Sequence, residues 1–176
     1  LPRSRYSVEA MLAVAAHPLV LRRFAMDDDG TAVWDRCLDR TAVRWGLDSA
    51  QRKAAGLDAP GLRAHTWKLG LERMVLGATL PDAAPREELG GVVPLDDVDP
   101  AQIDAVAALV AIVGTIADLD AATATDRPVG AWCDLLEHAL AGLCGAESPD
   151  LVDALRELAT LRRAANDVPV PFHDVK

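Results

Sequence analysis

The sequence predicts an all-α fold, an irregular bundle of about seven or eight helices, and three observations predict it. Alanine occurs 32 times in 176 residues while aromatic residues make up 4%, a composition that favours helix over the β-branched and aromatic surfaces of sheets. Apolar residues recur at i, i+3, i+4 and i+7, and these runs begin at capping residues and stop at Pro or Gly. No run alternates cleanly with period two, and no internal repeat is visible. At 51% apolar, 26% charged and a mean hydropathy of +0.11, the chain has enough apolar surface for one core and is not disordered throughout. Residues 1–176 therefore read as a single helical domain.

Ser7 opens the first helix as an N-cap, with Val8, Met11, Leu12 and Ala15 on one face. Pro18 interrupts after His17 and starts a short second helix to about Ala25, because proline disfavours helical geometry in its predecessor and suits the first helical position. Asp27-Asp28-Asp29-Gly30 is a solvated turn, one of whose acids caps a third helix bearing Val33, Trp34, Cys37, Leu38 and Thr41. Val43 to Asp48 breaks the period, and Asp48 caps a short helix over Ser49 to Ala55, closed by Gly56. After a loop over 57–65, a strong helix runs from Thr66 with Trp67, Leu71, Met74, Val75 and Ala78 along its stripe until Pro81.

Residues 81–99 read as an exposed acidic loop, carrying Asp82, Glu87, Glu88, Asp96, Asp97 and Asp99, and its length suggests a functional or mobile element. Asp99-Pro100-Ala101-Gln102 has the pattern of a capping box and opens a long helix to about Leu119, apolar nearly all round and thus expected to be the most buried. Asp126-Arg127-Pro128 starts the next, with Trp132, Leu135, Leu136, Ala139, Leu140 and Leu143 in helical spacing up to Gly145. Ser148-Pro149-Asp150 begins the last, through Leu151, Val152, Leu155 and Leu158 to about Ala165, and residues 166–176 form an extended tail.

The net charge is −9, but residues 1–80 carry +3 while residues 81–120 carry −8. Affinity for nucleic acid is built from Lys and Arg at phosphates, so an acidic chain is a poor autonomous DNA binder, and any contact belongs to the first half. Cys37, Cys133 and Cys144 are odd in number and form no C-x-x-C pair, which signals neither a disulfide framework nor a zinc ribbon and suits a reducing, cytoplasmic setting. Ile103 to Leu119 is broken by Asp104, Gly114, Thr115 and Asp118 and reads as too short and polar to span a bilayer, so no membrane partner is expected. A start at Leu1 and an abrupt Val-Pro-Val-Pro end suggest a piece of something larger.

Catalytic templates are missing. There is no phosphate-binding G-x-x-x-x-G-K-[ST], no G-x-G-x-x-G after a strand, no H-E-x-x-H and no G-x-S-x-G. His138 has the best case as a metal ligand, with Asp134 one turn earlier and Cys144 nearby, but one His with one carboxylate at that spacing more simply makes a surface pair. No catalytic residue, metal or cofactor is assigned.

Two blocks stand out instead. The first is Val43-Arg44-Trp45-Gly46-Leu47-Asp48, and the second is His65-Thr66-Trp67-Lys68-Leu69-Gly70-Leu71-Glu72-Arg73-Met74-Val75-Leu76-Gly77. Together they resemble the exodeoxyribonuclease V gamma chain family, the RecC subunits of RecBCD helicase-nucleases, in which R-W-G-[LI]-D precedes [HN]-T-W-x-x-G-[LI]-x-R-[ML]-[LV]-L-G. Ser7 to Phe24, Val93-Pro94-Leu95-Asp96-Asp97 and Arg127-Pro128-Val129 to Leu136 resemble flanking elements of the same family, in matching order. One departure is Gly77-Ala78-Thr79-Leu80, where family members often carry an aromatic ring.

The resemblance implies a middle segment of a helicase-like chain that has lost its ATPase motifs, similar in placement to the helical 2B insertion of superfamily 1 helicases. It implies a non-catalytic scaffold that shapes a DNA path, in repair of double-strand breaks and Chi-regulated end processing. Its partners would be the beta and alpha chains, with DNA reached through the complex. No nuclease, ATPase or Chi-reading residue maps onto these positions. The alternative reading is a free-standing helical protein-protein interaction module with the acidic loop 82–99 as its docking element. For the blocks themselves two readings remain. Arg44, Trp45, Lys68 and Arg73 form a basic, aromatic patch facing DNA or a partner, or they join Gly46, Leu47, Asp48, Thr66, Trp67, Gly70, Leu71 and Gly77 in packing, where glycines permit close helix approach.

Overall fold

The computed structural model describes residues 4–80, 88–96, 98–145, 151–164 and 168–172. Among the described residues there are eight α-helices: α1 (Val8–Ala15), α2 (Pro18–Arg23), α3 (Asp28–Thr41), α4 (Ser49–Ala54), α5 (Trp67–Thr79), α6 (Ile103–Ala122), α7 (Val129–Cys144) and α8 (Val152–Ala164). The all-α bundle is thus observed. Its caps are local chemistry. Ser7 Oγ accepts from Ala10 N at 3.3 Å, Asp27 Oδ1 from Gly30 N at 2.9 Å, Asp48 Oδ1 from Gln51 N at 2.8 Å and Thr66 Oγ1 from Leu69 N at 3.3 Å. Each gives one of the orphan amides of a first helical turn its partner.

Helices α3, α5, α6 and α7 surround the core, with α6 in the middle touching the other three. Met11, Val33, Leu38, Met74, Leu109 and Ile112 are among the residues buried there. Trp34 and Trp67 lie in this core, and Trp132 is buried outside it, under the C-terminal tail. Each indole N–H donates to a backbone carbonyl far away in sequence: Trp34 to Ala105 at 2.6 Å, Trp67 to Tyr6 at 2.8 Å and Trp132 to Val170 at 2.9 Å. A buried indole needs such a partner, so each bond fixes both the ring and the segment it reaches.

Four expectations need correction. The 81–99 stretch is exposed over only part of its described residues: residues 88–91, Val93, Asp96 and Asp99 are exposed, and the rest is built into the fold. Leu89 and Val92 exchange backbone hydrogen bonds at 2.9 and 3.1 Å across Gly90 and Gly91, both at positive φ, the geometry of a two-residue hairpin turn. Val92, Pro94, Leu95 and Val98 beyond it are buried, because this apolar run lies along α5. Residues 81–87 and Asp97 fall outside the described residues, as do Ser148-Pro149-Asp150.

Asp99 and Pro100 open a 3-10 turn, Pro100–Gln102, before α6. Asp99 Oδ1 accepts from Ala101 N at 2.9 Å, and Gln102 Oε1 accepts from Arg36 at 2.8 Å rather than closing a capping box.

Counted with that turn, α6 is long and apolar enough by length and composition to cross a bilayer, contrary to the sequence expectation. It serves here as a core helix with one face packed. Its other face is open, with Ile103, Ala107 and Ala111 exposed, so it is central without being buried all round.

Arg127–Pro128 is not helical either. It is a two-residue strand, β1, paired antiparallel with β2 (Pro169–Val170), which turns the described part of the extended tail back onto the bundle.

Candidate functional site

The two motif blocks meet as backbone. Arg44 N donates to His65 O at 3.0 Å, Trp67 N to Gly46 O at 3.0 Å and Lys68 N to Leu47 O at 2.9 Å. The N-terminal segment joins them, with Gly46 N donating to Arg5 O at 2.8 Å and Val8 N to Arg44 O at 3.2 Å. Tyr6, Ala42 and His65, three non-glycine residues at φ of 52°, 53° and 60°, occupy this junction. A left-handed backbone costs an L-residue about 1–2 kcal/mol, so surrounding bonds must hold each one. His65 Nδ1 donates to Ala42 O at 2.9 Å, and the Tyr6 carbonyl takes the Trp67 indole.

The centre of the junction is Arg52, on α4. Its guanidinium donates to four carbonyls: Nη1 to Leu62 at 2.9 Å and Ala64 at 2.6 Å, Nη2 to Trp45 at 2.7 Å and His65 at 3.2 Å. It is only 7% exposed, and burial pulls its pKa below the ordinary guanidinium value. Its Nε, like Gln51 Oε1, has no hydrogen-bond partner among the described residues. Sequence reading passed over Arg52, because it lies in a short helix between the blocks and its partners are carbonyls, which no motif displays.

Trp45 is half-buried, and Arg52 lies over its ring at 4.4 Å with Arg5 at 5.6 Å. The cations on this ring are therefore Arg52 and Arg5, within the usual range for cation–π attraction. Arg44 and Lys68 are exposed. Arg73 is half-buried and donates from Nε to Val93 O at 3.0 Å, while Leu95 N donates to Arg73 O at 2.9 Å. It thus fastens the 92–95 run to α5. Lys68 and Arg73 stand about 140° apart around that helix, so they do not share a face.

The remaining motif residues pack or turn. Gly46 has φ 79°, and a Cβ on it would press on the Arg52 side chain. A Cβ on Gly70 would overlap the Val43 side chain, and one on Gly77 would overlap the Leu95 carbonyl oxygen. Asp48 and Thr66 are the caps of α4 and α5, Trp67 is fully buried, and Leu47 and Leu71 line a groove beside α5.

The metal candidate does not assemble. Asp134 pairs with Arg162 across α7 and α8, and among the described residues no three His, Cys, Asp or Glu side chains gather. Burial raises the Cys37, Cys133 and Cys144 thiols above their ordinary pKa, with nearby arginines opposing it. At neutral pH these thiols stay protonated, the unreactive form.

A junction closed by residues from both blocks in this order is a fingerprint, and the family model for the fourth domain of RecBCD enzyme subunit RecC matches residues 1–176. The chain belongs to the RecC fourth-domain family. RecC from Escherichia coli K12 is 29% identical over 132 residues, covering 75% of this chain and 11% of that protein. RecC from Mycobacterium tuberculosis CDC 1551 is 27% identical over 133 residues, covering 76% and 12%. RecC from Mycolicibacterium smegmatis is 25% identical over 167 residues, covering 93% and 15%. The chain thus spans between 11% and 15% of the length of these curated relatives. In this RecC domain the motif residues are largely engaged with one another, and Arg44 and Lys68 are the two candidate cations left exposed.

Proposed function

We propose that this domain is a non-catalytic scaffold and DNA-path element of a RecC subunit, the gamma chain of exodeoxyribonuclease V. It acts in recombinational repair of double-strand breaks and in Chi-regulated processing of DNA ends, in a cytoplasmic complex with the beta and alpha chains. Its place in that subunit corresponds to the helical 2B insertion of superfamily 1 helicases. The RecC family match over residues 1–176 carries the reading. The absence of a catalytic role is supported by the way the motif side chains are used. Arg52, Trp67, Asp48, Thr66 and Arg73 are bound to the fold itself.

The test uses full-length RecC assembled with its partner subunits. Arg44→Ala and Lys68→Ala remove exposed cations and leave the junction's backbone hydrogen bonds in place, Arg44→Ala also removing the bond from Arg44 Nη1 to Val43 O at 3.2 Å. A cation that meets a phosphate contributes about one unit to the slope of log affinity against log salt. The expected result is weaker binding to forked DNA with a slope lower by about one for each contacting residue. An unchanged affinity and slope would remove these two positions from the DNA path. Hydrolysis of ATP or of DNA ends by the 176-residue polypeptide alone would overturn the non-catalytic reading.

A further inference from the structure

A groove of about 600 Å³ runs between α5 and α6, lined chiefly by Leu47, Leu71, Val75, Val110, Val113 and Gly114. Val75 and Val110 also line a second cleft of about 310 Å³, with Ile103, Ala107 and Ala111. The two join into one apolar strip along the open face of α6. Val75 is 40% exposed and Ile103 is 42% exposed. From Ile103 to Ala117 the strip extends on the order of 20 Å at 1.5 Å per residue. Exposed Asp104 and Asp118 on α6 flank the strip at its two ends, and among the described residues that line the two clefts charges occur at one end only. There Asp48 is committed to the cap of α4 and Glu72 to Arg63 at 2.6 Å, and Lys68 stands beside them.

Gly114 singles out this strip. A glycine inside a helix costs about 1 kcal/mol relative to alanine. At Gly70 and Gly77 the reason is visible, because a Cβ would overlap neighbouring atoms, whereas a Cβ on Gly114 would meet nothing within 4 Å. Nothing among the described residues requires a glycine there. A second backbone lying close against α6 would. The small residues Ala107, Ala111, Gly114 and Ala117 recur at three- and four-residue spacing, a shallow furrow that a helix ridge fills.

We propose that this furrow seats an α-helix with an apolar face from the rest of the RecC polypeptide, crossing α6 at Gly114; the proposal rests on the RecC reading above. The furrow is apolar along its middle and charged at its ends, the arrangement of an interface with an apolar centre and a polar rim. The relatives offer ample chain for it, since this domain accounts for only 11% to 15% of their length.

The experiment introduces Val75→Cys and, separately, Ala111→Cys into full-length RecC. Labelling by N-ethylmaleimide is followed by mass spectrometry at the substituted residue, in RecC alone, in the assembled complex and in urea. The expected result is labelling about a hundredfold slower in folded RecC alone than in urea, as for sites that react only on local opening, and equally slow in the complex. Rapid labelling in RecC alone that persists in the complex would show an open furrow. Rapid labelling in RecC alone that is lost on assembly would show the seat of another subunit. Either would overturn the proposal. Assembly and DNA-end unwinding, measured on the same proteins, test the RecC reading separately from the furrow.

Discussion

Two tryptophans, both fully buried, sit in regions built on different physics. Trp67 lies in the hydrophobic core and closes a polar junction. Its indole donates to the Tyr6 carbonyl and its backbone N–H to Gly46 O, and the same junction holds the Arg52 guanidinium among four carbonyls and three left-handed residues. Around Trp132 the cover is a two-residue strand and the Phe172 ring, whose centroid lies 5.3 Å away. The neighbouring α8 has no buried residue of its own and is tied to α7 by exposed ion pairs, Arg162 to Asp134 and to Glu137. Burial of a large ring is therefore no measure of how firmly a region is fixed. The Trp67 region is over-determined by bonds that fail together, whereas the Trp132 region is closed by parts that can leave singly.

The largest effect should follow from Arg52→Leu. Four carbonyls would lose a charged donor at once, and hydrogen bonds to charged groups contribute about 1.5–3 kcal/mol each before relaxation. Destabilisation of about 3 kcal/mol or more is expected in urea unfolding of the chain, with Trp45 fluorescence altered because the nearer of the two cations on its ring is gone. Arg52→Lys should recover less than half of the loss, since one ammonium cannot span the four acceptors of a planar fork. Full rescue by lysine would show that charge alone matters and that the junction is looser than its geometry.

Gly77→Ala comes next. Its Cβ would overlap the Leu95 carbonyl oxygen, a backbone atom that cannot rotate aside. Overpacking of this kind costs about 1–3 kcal/mol. The change should also free the 92–95 run, read as faster amide exchange at Leu95, whose N–H is bonded to Arg73 O. A variant of wild-type stability would mean that the run is not pressed against α5.

The helix boundaries near the first block were legible because their causes are local: Ser7, Asp27, Asp48 and Thr66 each cap the helix that follows directly. The family was legible for a related reason, since the residues that close the junction must keep their identity and spacing. What stayed hidden depends on distance. Arg127–Pro128 pairs with Pro169–Val170 across some forty residues, and two prolines in so short a ladder give no strand pattern. The role of Arg52 is a relation to carbonyls, and the open face of α6 depends on what surrounds it. The Gly90-Gly91 turn and the Val92–Leu95 run did carry a signal, adjacent glycines before four apolar residues, that the surrounding acids outweighed.

On the Trp132 side the effects should be smaller and separable. Phe172→Ala removes a tilted ring pair worth about 0.5–1.5 kcal/mol beyond its buried area. It should release the tail, seen as faster exchange of the Val170 amide, with Trp67 and its junction unchanged.

The smallest effect is expected from Arg162→Ala. This arginine joins two carboxylates of α7, which makes it the most conspicuous polar link to α8, yet all three side chains are substantially exposed. Exposed pairs are screened and give about 0–1 kcal/mol. Unfolding in urea should therefore shift by less than about 1 kcal/mol, and raising salt should reduce even that difference. If the variant instead lost α8 altogether, with its amides exchanging at the rate of unstructured chain, the ion pairs would be holding the helix where its half-buried Leu155 and Leu158 do not suffice. The contrast would then lie between charged and uncharged fastening, and the Trp132 region would become the salt-sensitive half of the molecule.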